Sequence, residues 1–238
     1  MRIAIVSDIH GNIRGLDACL DDLVAQGGAD AIVAAGDLCM DGPKPKKVLK
    51  RLREVGAQAL RGNTDRYIAE GSRDEDPAEL TWYRDAIGPE WRAWLGALPK
   101  HLHFGRDENV LMISHANPKN DEEHVWPGAT DAQLQRLFGD VPARAFAFGH
   151  LHVPYARMWR GRLLTCVASA GLPKDGDPRA HYAILTERED GWEVKSRRVP
   201  FDVEKVVSEL KKSGHPAAEA CIVTLRRHRY KQLTGIIP

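Results

Sequence analysis

The chain of 238 residues is predicted to be an α/β protein, and two patterns in its first third support this fold class. Short apolar segments rich in β-branched residues alternate with longer segments whose apolar residues recur at helical spacing. Acidic, amide and histidine residues follow directly after the apolar segments. Because alternating strands and helices favour a parallel sheet, whose ligands collect at the carboxyl ends of its strands, we expect a ligand site along one edge.

The first third of the chain predicts three strands separated by two helices. The strands are expected at residues 3–7, 31–35 and 57–60. Apolar residues at helical spacing mark the helices, which end at Gly27-Gly28 and at Gly56. Two further buried strands are expected at residues 110–114 and 145–148.

The remaining segments predict a different arrangement. Residues 67–99, which are rich in charges and tryptophan, predict two amphipathic helices packed over the sheet edge. Three segments with intervening turns predict an antiparallel second sheet, and they lie at residues 163–168, 181–186 and 192–199. A last amphipathic helix is expected near residues 203–210, whereas residues 222–225 have the composition of a strand and residues 226–231 form a basic tail. Without a repeat or linker, we expect one domain over residues 1–238.

Composition restricts the function classes. The 34 Lys and Arg residues nearly balance the 33 Asp and Glu residues, so the net charge of +1 does not indicate nucleic acid or an anionic membrane as a partner. The four cysteines are far apart, which is typical of reduced thiols in the cytoplasm. The apolar start of the chain is too short for a signal peptide or a membrane span, so we expect a soluble cytoplasmic protein.

Seven side chains that commonly bind metal ions follow five of the predicted strands. They are Asp8, His10, Asp37, Asn63, His115, His150 and His152. Carboxylate oxygen, amide oxygen and imidazole nitrogen are ligands for hard or borderline divalent ions. If Asp37 bridges through its two oxygens, the set supplies eight ligands, which is enough for two ions. We assign Asp8, His10, Asp37 and His152 to one ion, and Asp37, Asn63, His115 and His150 to the other.

The order of these motifs resembles that of the calcineurin-like metallophosphoesterase superfamily. Further segments resemble its small bacterial and archaeal phosphodiesterase branch, namely Ser7-Asp8-Ile9-His10-Gly11-Asn12, Gly36-Asp37-Leu38 with Gly42-Pro43, and Ser169-Ala170-Gly171-Leu172-Pro173 with Asp175-Gly176-Asp177. The resemblance covers roughly residues 1–200. It implies a four-layer α-β-β-α sandwich of two mixed sheets flanked by helices. It also implies a centre of two divalent ions of the manganese, iron, zinc, nickel or cobalt type.

The third motif departs from the superfamily pattern. Gly62-Asn63 is followed by Thr64, where the superfamily usually has a histidine that stabilises charge or protonates the leaving oxygen. Threonine is not a general acid at neutral pH, and a positioned acid speeds such reactions by roughly 10²–10⁴-fold. The departure therefore favours leaving groups that need little protonation, as in activated phosphodiesters.

The resulting hypothesis is a phosphodiesterase in which a hydroxide bridging two ions attacks phosphorus in line. Asp37, Asn63 and His115 are the predicted catalytic ligands, and the substrate is expected to be a small phosphoester. Three residues are candidates for substrate contact. Asn12 either donates to a phosphate oxygen or caps the next helix. Arg179 follows a turn that the branch places near the active site, and His124 follows His115 by a short loop and could replace the absent acid.

Two alternatives remain within the same fold. One is a protein phosphatase or dinucleoside polyphosphate hydrolase, and the other is a non-catalytic scaffold of the kind found in a membrane-coat sorting complex. The filled ligand positions favour catalysis over scaffolding. A homodimer is the commonest assembly for such a chain, and the six tryptophans are more often core residues than platforms for a base.

Overall fold

The structure, a computed structural model, describes residues 1–71 and 77–229. Within these residues, ten strands form two mixed five-stranded sheets, and eight helices flank them. The predicted α/β class with two mixed sheets is therefore confirmed. No helix in the described part of the chain is long and apolar enough to cross a lipid bilayer.

The first sheet contains the strands from the beginning of the chain and a hairpin from its last third. Its strands are β1 (Arg2–Val6), β2 (Ala31–Ala34), β3 (Gln58–Ala59), β9 (Ala180–Arg188) and β10 (Gly191–Val199). They lie in the order β10-β9-β1-β2-β3. The pairs β1–β2 and β2–β3 are parallel, whereas β9 is antiparallel to β1 and to β10.

The second sheet is formed by the middle of the chain. Its strands are β4 (His101–Phe104), β5 (Leu111–Ser114), β6 (Ala145–Phe148), β7 (Tyr155–Trp159) and β8 (Arg162–Cys166). They lie in the order β4-β5-β6-β8-β7, with β5, β6 and β8 parallel to one another. Side chains of both sheets, including Ile3, Val33, Ile113 and Ala147, share one apolar cluster, so the sheets pack face to face.

Helices cover the outer faces of the two sheets. They are α1 (Ile13–Ala25), α2 (Pro45–Glu54), α3 (Asn63–Glu70), α4 (Pro77–Ile87), α5 (Pro89–Gly96), α6 (Asp131–Phe138), α7 (Val203–Lys211) and α8 (Ala218–Arg227). Apolar residues of α1 to α5 cluster with one face of the first sheet, and those of α6 cluster with the second sheet. The layers are thus helix, sheet, sheet and helix.

The predicted antiparallel second sheet is wrong. β8 lies beside β6 in the second sheet, whereas β9 pairs with β1 and with β10 in the first sheet. The first six residues of β9 are buried, which suits a strand inside a sheet with packing on both faces. Local periodicity reports such burial, but it does not report which strand becomes the neighbour.

Other predictions also need correction. The described part of residues 67–99 contributes to three helices rather than two, because α3 begins earlier, at Asn63. Residues 222–225 belong to α8 and not to a strand, since Cys221, Ile222 and Leu225 form an apolar face that packs against α7. β4 and α6 were not predicted at all. Only residues 226–229 of the predicted basic tail lie within the described residues.

Candidate metal centre

The seven predicted ligands lie at the ends of strands from both sheets. Asp8 and His10 follow β1, Asp37 follows β2, and Asn63 opens α3 after β3. From the facing sheet, His115 follows β5, while His150 and His152 follow β6. The prediction that the site lies along the edge of one sheet is therefore wrong. The site lies where the carboxyl ends of strands from two packed sheets meet.

The side chains form two adjacent groups. In the first, Nε2 of His152 lies 3.1 Å from Oδ1 of Asp8 and 3.2 Å from Nε2 of His10. In the second, Nε2 of His115 lies 3.3 Å from Oδ1 of Asp37 and 3.2 Å from Nδ1 of His150. The donor atoms within each group all lie within 4.8 Å of one another.

Asp37 and Asn63 complete this arrangement. Oδ1 of Asp37 faces His115, whereas its Oδ2 lies 3.8 Å from Nε2 of His10 in the other group. Oδ1 of Asn63 lies 3.0 Å from Nε2 of His115. Ligands held about 2.1 Å from one ion at tetrahedral or octahedral angles lie roughly 3.0–3.4 Å apart. The donor set and its separations fit divalent ions, with Asp37 placed between the two groups.

Hydrogen bonds to backbone carbonyls orient all four histidine rings. Nδ1 of His10, His115 and His152 faces the carbonyl oxygens of Met40, Ala35 and Leu172, respectively. His150 is turned the other way, because its Nε2 lies 2.7 Å from the carbonyl oxygen of Glu122. A nitrogen that donates to a carbonyl leaves the lone pair of the other nitrogen for a metal. Each ring is therefore oriented with its other nitrogen toward the cluster, as a metal ligand requires.

Five of the clustered residues have left-handed backbone conformations. Their φ angles lie between 50° and 64°, and the residues are Asp8, His10, Asp37, His150 and His152. This region is unfavourable for residues with a Cβ atom, and such strain concentrates at functional sites. Backbone hydrogen bonds hold two of these turns, from Asp8 N to Gly36 O and from His10 N to Asp37 O.

Three residues of the cluster follow a glycine, and close packing requires glycine at each of these positions. A Cβ atom at Gly62 would lie 2.2 Å from Oδ1 of Asp37, and one at Gly149 would lie 2.3 Å from Oδ2 of Asp8. At Gly36, which also has a positive φ, a Cβ atom would lie 2.6 Å from Nδ1 of His115. In the Gly-Asp, Gly-Asn and Gly-His pairs, the second residue thus belongs to the cluster, and the missing side chain of the glycine leaves room for another residue of the cluster.

The negative charge of the buried carboxylates favours positive charge on the groups around them. Burial opposes ionisation of Asp37, but the neighbouring histidines His115, His10 and His150 together outweigh burial, so the pKa of Asp37 is lowered. Burial likewise opposes protonation of His115, yet Asp37, Asp8 and the carbonyl of Ala35 together outweigh burial and raise the pKa of His115 to about 10. The added proton of His115 would lie on the nitrogen that faces the cluster. A metal cation bound by the same side chains would neutralise the buried carboxylates in place of that proton.

Comparison with known proteins agrees with this geometry. The sequence model of the calcineurin-like phosphoesterase superfamily domain matches residues 1–190. The chain belongs to this superfamily. The resemblance that the order of the motifs indicated is thereby confirmed. Membership in this superfamily supports hydrolysis of phosphoesters as the activity of the protein, and the clustered side chains are of types that bind metal.

Individual relatives span most of the chain. MJ0912 of Methanocaldococcus jannaschii is 27% identical over 90% of this chain and 93% of its own length. Phosphodiesterase YfcE of Escherichia coli is 28% identical over 78% of this chain and 87% of its own length. The crystal structure of a metallophosphoesterase from Sphaerobacter thermophilus is similar with a TM-score of 0.79 and 26% identity, covering 96% of this chain and all of that one.

The position where the superfamily has a histidine is buried beside the cluster. The backbone N–H of Thr64 donates to Oδ1 of Asp37 over 3.0 Å. The Thr64 hydroxyl is buried and has no hydrogen-bond partner among the described residues. An unpartnered buried hydroxyl at this point suits a ligand oxygen that would accept its hydrogen bond.

Asp65 was not recognised from the sequence. Its carboxylate is completely buried and accepts hydrogen bonds from the backbone N–H groups of Asp37, Leu38 and Gly62. It thereby joins the first turn of α3 to the loop after β2. An acidic residue at the third position of a helix is a common capping signal, which could have identified it. Burial and the neighbouring Asp37 raise the pKa of Asp65 to about 6.

The three candidates for substrate contact have different surroundings. Asn12 caps α1, since its Oδ1 accepts from Gly15 N and its Nδ2 donates to Gly171 O. The structure therefore shows the capping alternative, and a contact of Asn12 with phosphate stays a prediction. Arg179 forms an ion pair with Asp177 and is about half exposed. A role for Arg179 in substrate binding likewise stays a prediction.

His124, the candidate to replace the absent acid, lies beside the cluster. Its ring centroid is 4.3 Å from that of His150, at an interplanar angle of 33°. Burial and neighbouring His150 lower the pKa of His124 to about 4. His124 is therefore neutral at pH 7 in this structure, which disfavours it as a replacement for the absent general acid.

A third cluster of metal-type side chains does not offer a metal site. It consists of Glu79, His215 and Cys221. The backbone N–H of Ala217 donates to Nδ1 of His215 over 3.1 Å, which occupies the only lone pair of the neutral ring. Nε2 then carries the proton and faces Glu79 Oε1 at 3.3 Å, so this group is an internal polar contact between α4 and the segment before α8.

Proposed function

We propose that this protein is a phosphodiesterase whose seven clustered side chains hold two divalent ions. The observation that carries the proposal is the pair of donor groups with Asp37 between them. Asp8, His10 and His152 would hold one ion, while Asn63, His115 and His150 would hold the other, and Asp37 would contribute one oxygen to each. Two ions bound in this way lower the pKa of water and stabilise in-line attack on phosphorus.

The residues of the chain contribute position and charge to this reaction. The backbone carbonyls opposite the four histidine rings fix the direction of the inward nitrogens, which would bind the ions. The buried position of Asp8 and Asp37 keeps water away from their charges, which strengthens their attraction for the two cations. The Thr64 hydroxyl would donate a hydrogen bond to a phosphoryl oxygen.

Preference for diesters follows from the residue at position 64. Thr64 supplies a hydrogen bond but no titratable proton near neutral pH, and His124 has a lowered pKa. Leaving groups that depart as weak bases would therefore react best, as in aryl phosphodiesters. The relative YfcE carries the name phosphodiesterase, which agrees with this preference.

The alternatives are less well supported. A protein phosphatase must expel a poor alkoxide, which needs the proton donor that Thr64 does not supply. Similarity to Vps29 of Chaetomium thermophilum, at 11% identity and a TM-score of 0.51, shows the fold alone. A scaffold would not require seven polar side chains at coordination distances with each histidine ring fixed by a carbonyl.

The decisive experiment combines metal analysis with kinetics. We expect the purified protein, loaded with manganese, to bind about two ions per chain and to hydrolyse bis(p-nitrophenyl) phosphate. Asp37→Asn removes the charge between the two donor groups but keeps an oxygen of similar size. It should lower kcat at least ~100-fold and reduce the bound metal.

Asp85→Asn is the matched control, because Asp85 is exposed on α4 outside the cluster. This variant should retain the activity and metal content of the wild type. Full hydrolysis by Asp37→Asn would contradict the proposal. A wild-type protein that binds no metal and hydrolyses no ester would favour the scaffold.

A further inference from the structure

Three aromatic rings extend from the metal-type cluster to the surface of the protein. The ring of His124 lies 4.3 Å from that of His150, centroid to centroid. The ring of Trp126 lies 5.8 Å from that of His124 at an interplanar angle of 25°, so these two rings are stacked. Trp126 is 36% exposed, which makes it one of the few large apolar side chains on the described surface.

Trp126 differs from the other tryptophans in its surroundings. Trp91, Trp159 and Trp192 are buried, and Trp82 and Trp94 pack against the main helical core. Trp126 is followed by exposed Pro127 and Gly128. Core packing, the usual role of a tryptophan, therefore explains the other five but does not explain this one.

The loop that carries His124 and Trp126 is held firmly in place. The Asn117 side chain donates to Glu123 O over 2.9 Å, and Oδ1 of Asn120 accepts from the backbone N–H groups of Glu122 and Glu123. Tyr155 donates its hydroxyl to Val125 O over 2.7 Å, next to Trp126. Because the loop is already ordered, binding a ligand against it would cost little conformational entropy.

Charges around the loop are largely neutralised by pairing. Glu122 bonds to Arg66 and Tyr67, and Glu123 pairs with Arg136. The two carboxylates thus already have cationic partners, and the exposed indole is the apolar feature beside them. Such a surface suits a flat, uncharged ring better than a charged group.

We propose that Trp126, supported by His124, is a stacking subsite for a planar aromatic group of the phosphoester substrate. The aromatic group would be an aryl ring or a nucleobase, linked to the phosphorus that reacts at the cluster. This inference rests on the proposed function and adds a substrate class to it. Stacking of one ring on an aromatic side chain strengthens binding roughly 5- to 100-fold.

The test uses three inhibitors that carry the same kind of anionic phosphorus group. Phenylphosphonate carries an aryl ring, adenosine 5′-monophosphate carries a nucleobase, and methylphosphonate carries neither. Their inhibition constants are measured with the manganese-loaded enzyme against methyl p-nitrophenyl phosphate. Trp126→Ala should raise the inhibition constant of at least one ring-bearing compound roughly 5- to 100-fold, and that of methylphosphonate less than about twofold.

Two further variants separate stacking from a general effect on the loop. Trp126→Phe keeps an aromatic ring and should retain most of the affinity for ring-bearing inhibitors. Met158→Ala removes another exposed apolar side chain, on β7, and should leave all three constants unchanged. A larger effect of Trp126→Ala on adenosine 5′-monophosphate would identify a nucleobase subsite, and a larger effect on phenylphosphonate would identify an aryl subsite.

Equal changes for all three inhibitors, or no change, would overturn the inference. Titration of tryptophan fluorescence with phenylphosphonate and adenosine 5′-monophosphate gives a reading that does not need turnover. We expect quenching in the wild type and its loss in Trp126→Phe. If the wild type hydrolyses no ester but its fluorescence is quenched in this manner, the proposed function fails while the subsite stands.

Discussion

Single residues of the cluster adopt backbone conformations that the sequence pattern does not reveal. Asp8, Asp37 and His152 have positive φ angles although they are not glycines. His10 faces both Met40 O and the Asp41 carboxylate through Nδ1, at 2.9 Å and 3.2 Å, which fixes its Nε2 toward the cluster. At this scale, the residue types of the cluster follow from the sequence, whereas the directions in which their side chains point follow from such local contacts.

Replacement of Thr64 by histidine tests the argument about leaving groups. The backbone N–H of Thr64 already bonds to Asp37, so the side chain starts beside the cluster. Thr64→His should raise phosphomonoester hydrolysis relative to diester hydrolysis by about tenfold or more, because an imidazolium can protonate the leaving oxygen. The measurement is the ratio of kcat/KM for glycerol 2-phosphate, a monoester whose alkoxide leaving group needs a proton, and for bis(p-nitrophenyl) phosphate, whose p-nitrophenolate leaving group does not.

A second substitution at the same position controls for size. Thr64→Gln introduces a long polar side chain that does not titrate, and it should not raise the ratio. An unchanged ratio in Thr64→His, with metal content preserved, would show that the residue at this position does not determine the choice of ester.

Elements of secondary structure position the clustered side chains, and hydrogen bonds between elements keep these positions fixed. The seven clustered side chains follow five strand ends, and these strands belong to two sheets. Asp65 is the link between α3 and the loop after β2, because it accepts from three backbone N–H groups. This link positions both Asp37 and Asn63.

Removal of the Asp65 carboxylate should weaken this junction. Asp65→Ala leaves three buried N–H groups without a partner, and an unsatisfied buried donor costs about 1–3 kcal/mol. We expect the free energy of unfolding to fall by about 3–5 kcal/mol, with partial relaxation limiting the sum. Urea denaturation measures this loss, and Asp85→Ala, at an exposed position of α4, is the control. A change within about 0.5 kcal/mol of that control would contradict the proposed link.

The whole molecule stabilises a cluster of buried polar groups by packing two sheets against each other. The shared apolar cluster between the sheets brings β1 and β2 opposite β5 and β6, and the clustered polar side chains lie near the ends of these strands. Folding therefore assembles carboxylates and imidazoles that would otherwise remain in water. A cation that binds only the folded state should stabilise the entire domain.

Metal addition tests this coupling. At a free metal concentration about 100 times the Kd, binding to the folded state stabilises it by about 2.7 kcal/mol. For a chain of this size, that corresponds to a rise in Tm of about 5–10 °C. Calorimetry or fluorescence with chelator and then with manganese should show this rise in the wild type. Asp37→Asn should show a much smaller rise, and an equal rise in both proteins would mean that the ions bind elsewhere.

The sequence by itself determined the α/β class, the family, the identity of the seven clustered side chains and the strand ends that carry them. These features depend on local periodicity and on residue types at short spacing, which the sequence displays directly. Tertiary structure alone decided that β8 and β9 enter different sheets, that His150 is turned opposite to the other rings, and that Trp126 lies exposed beside His124. The physical reason is that strand neighbours, ring orientations and exposure depend on contacts between residues far apart in the chain, to which local patterns are insensitive.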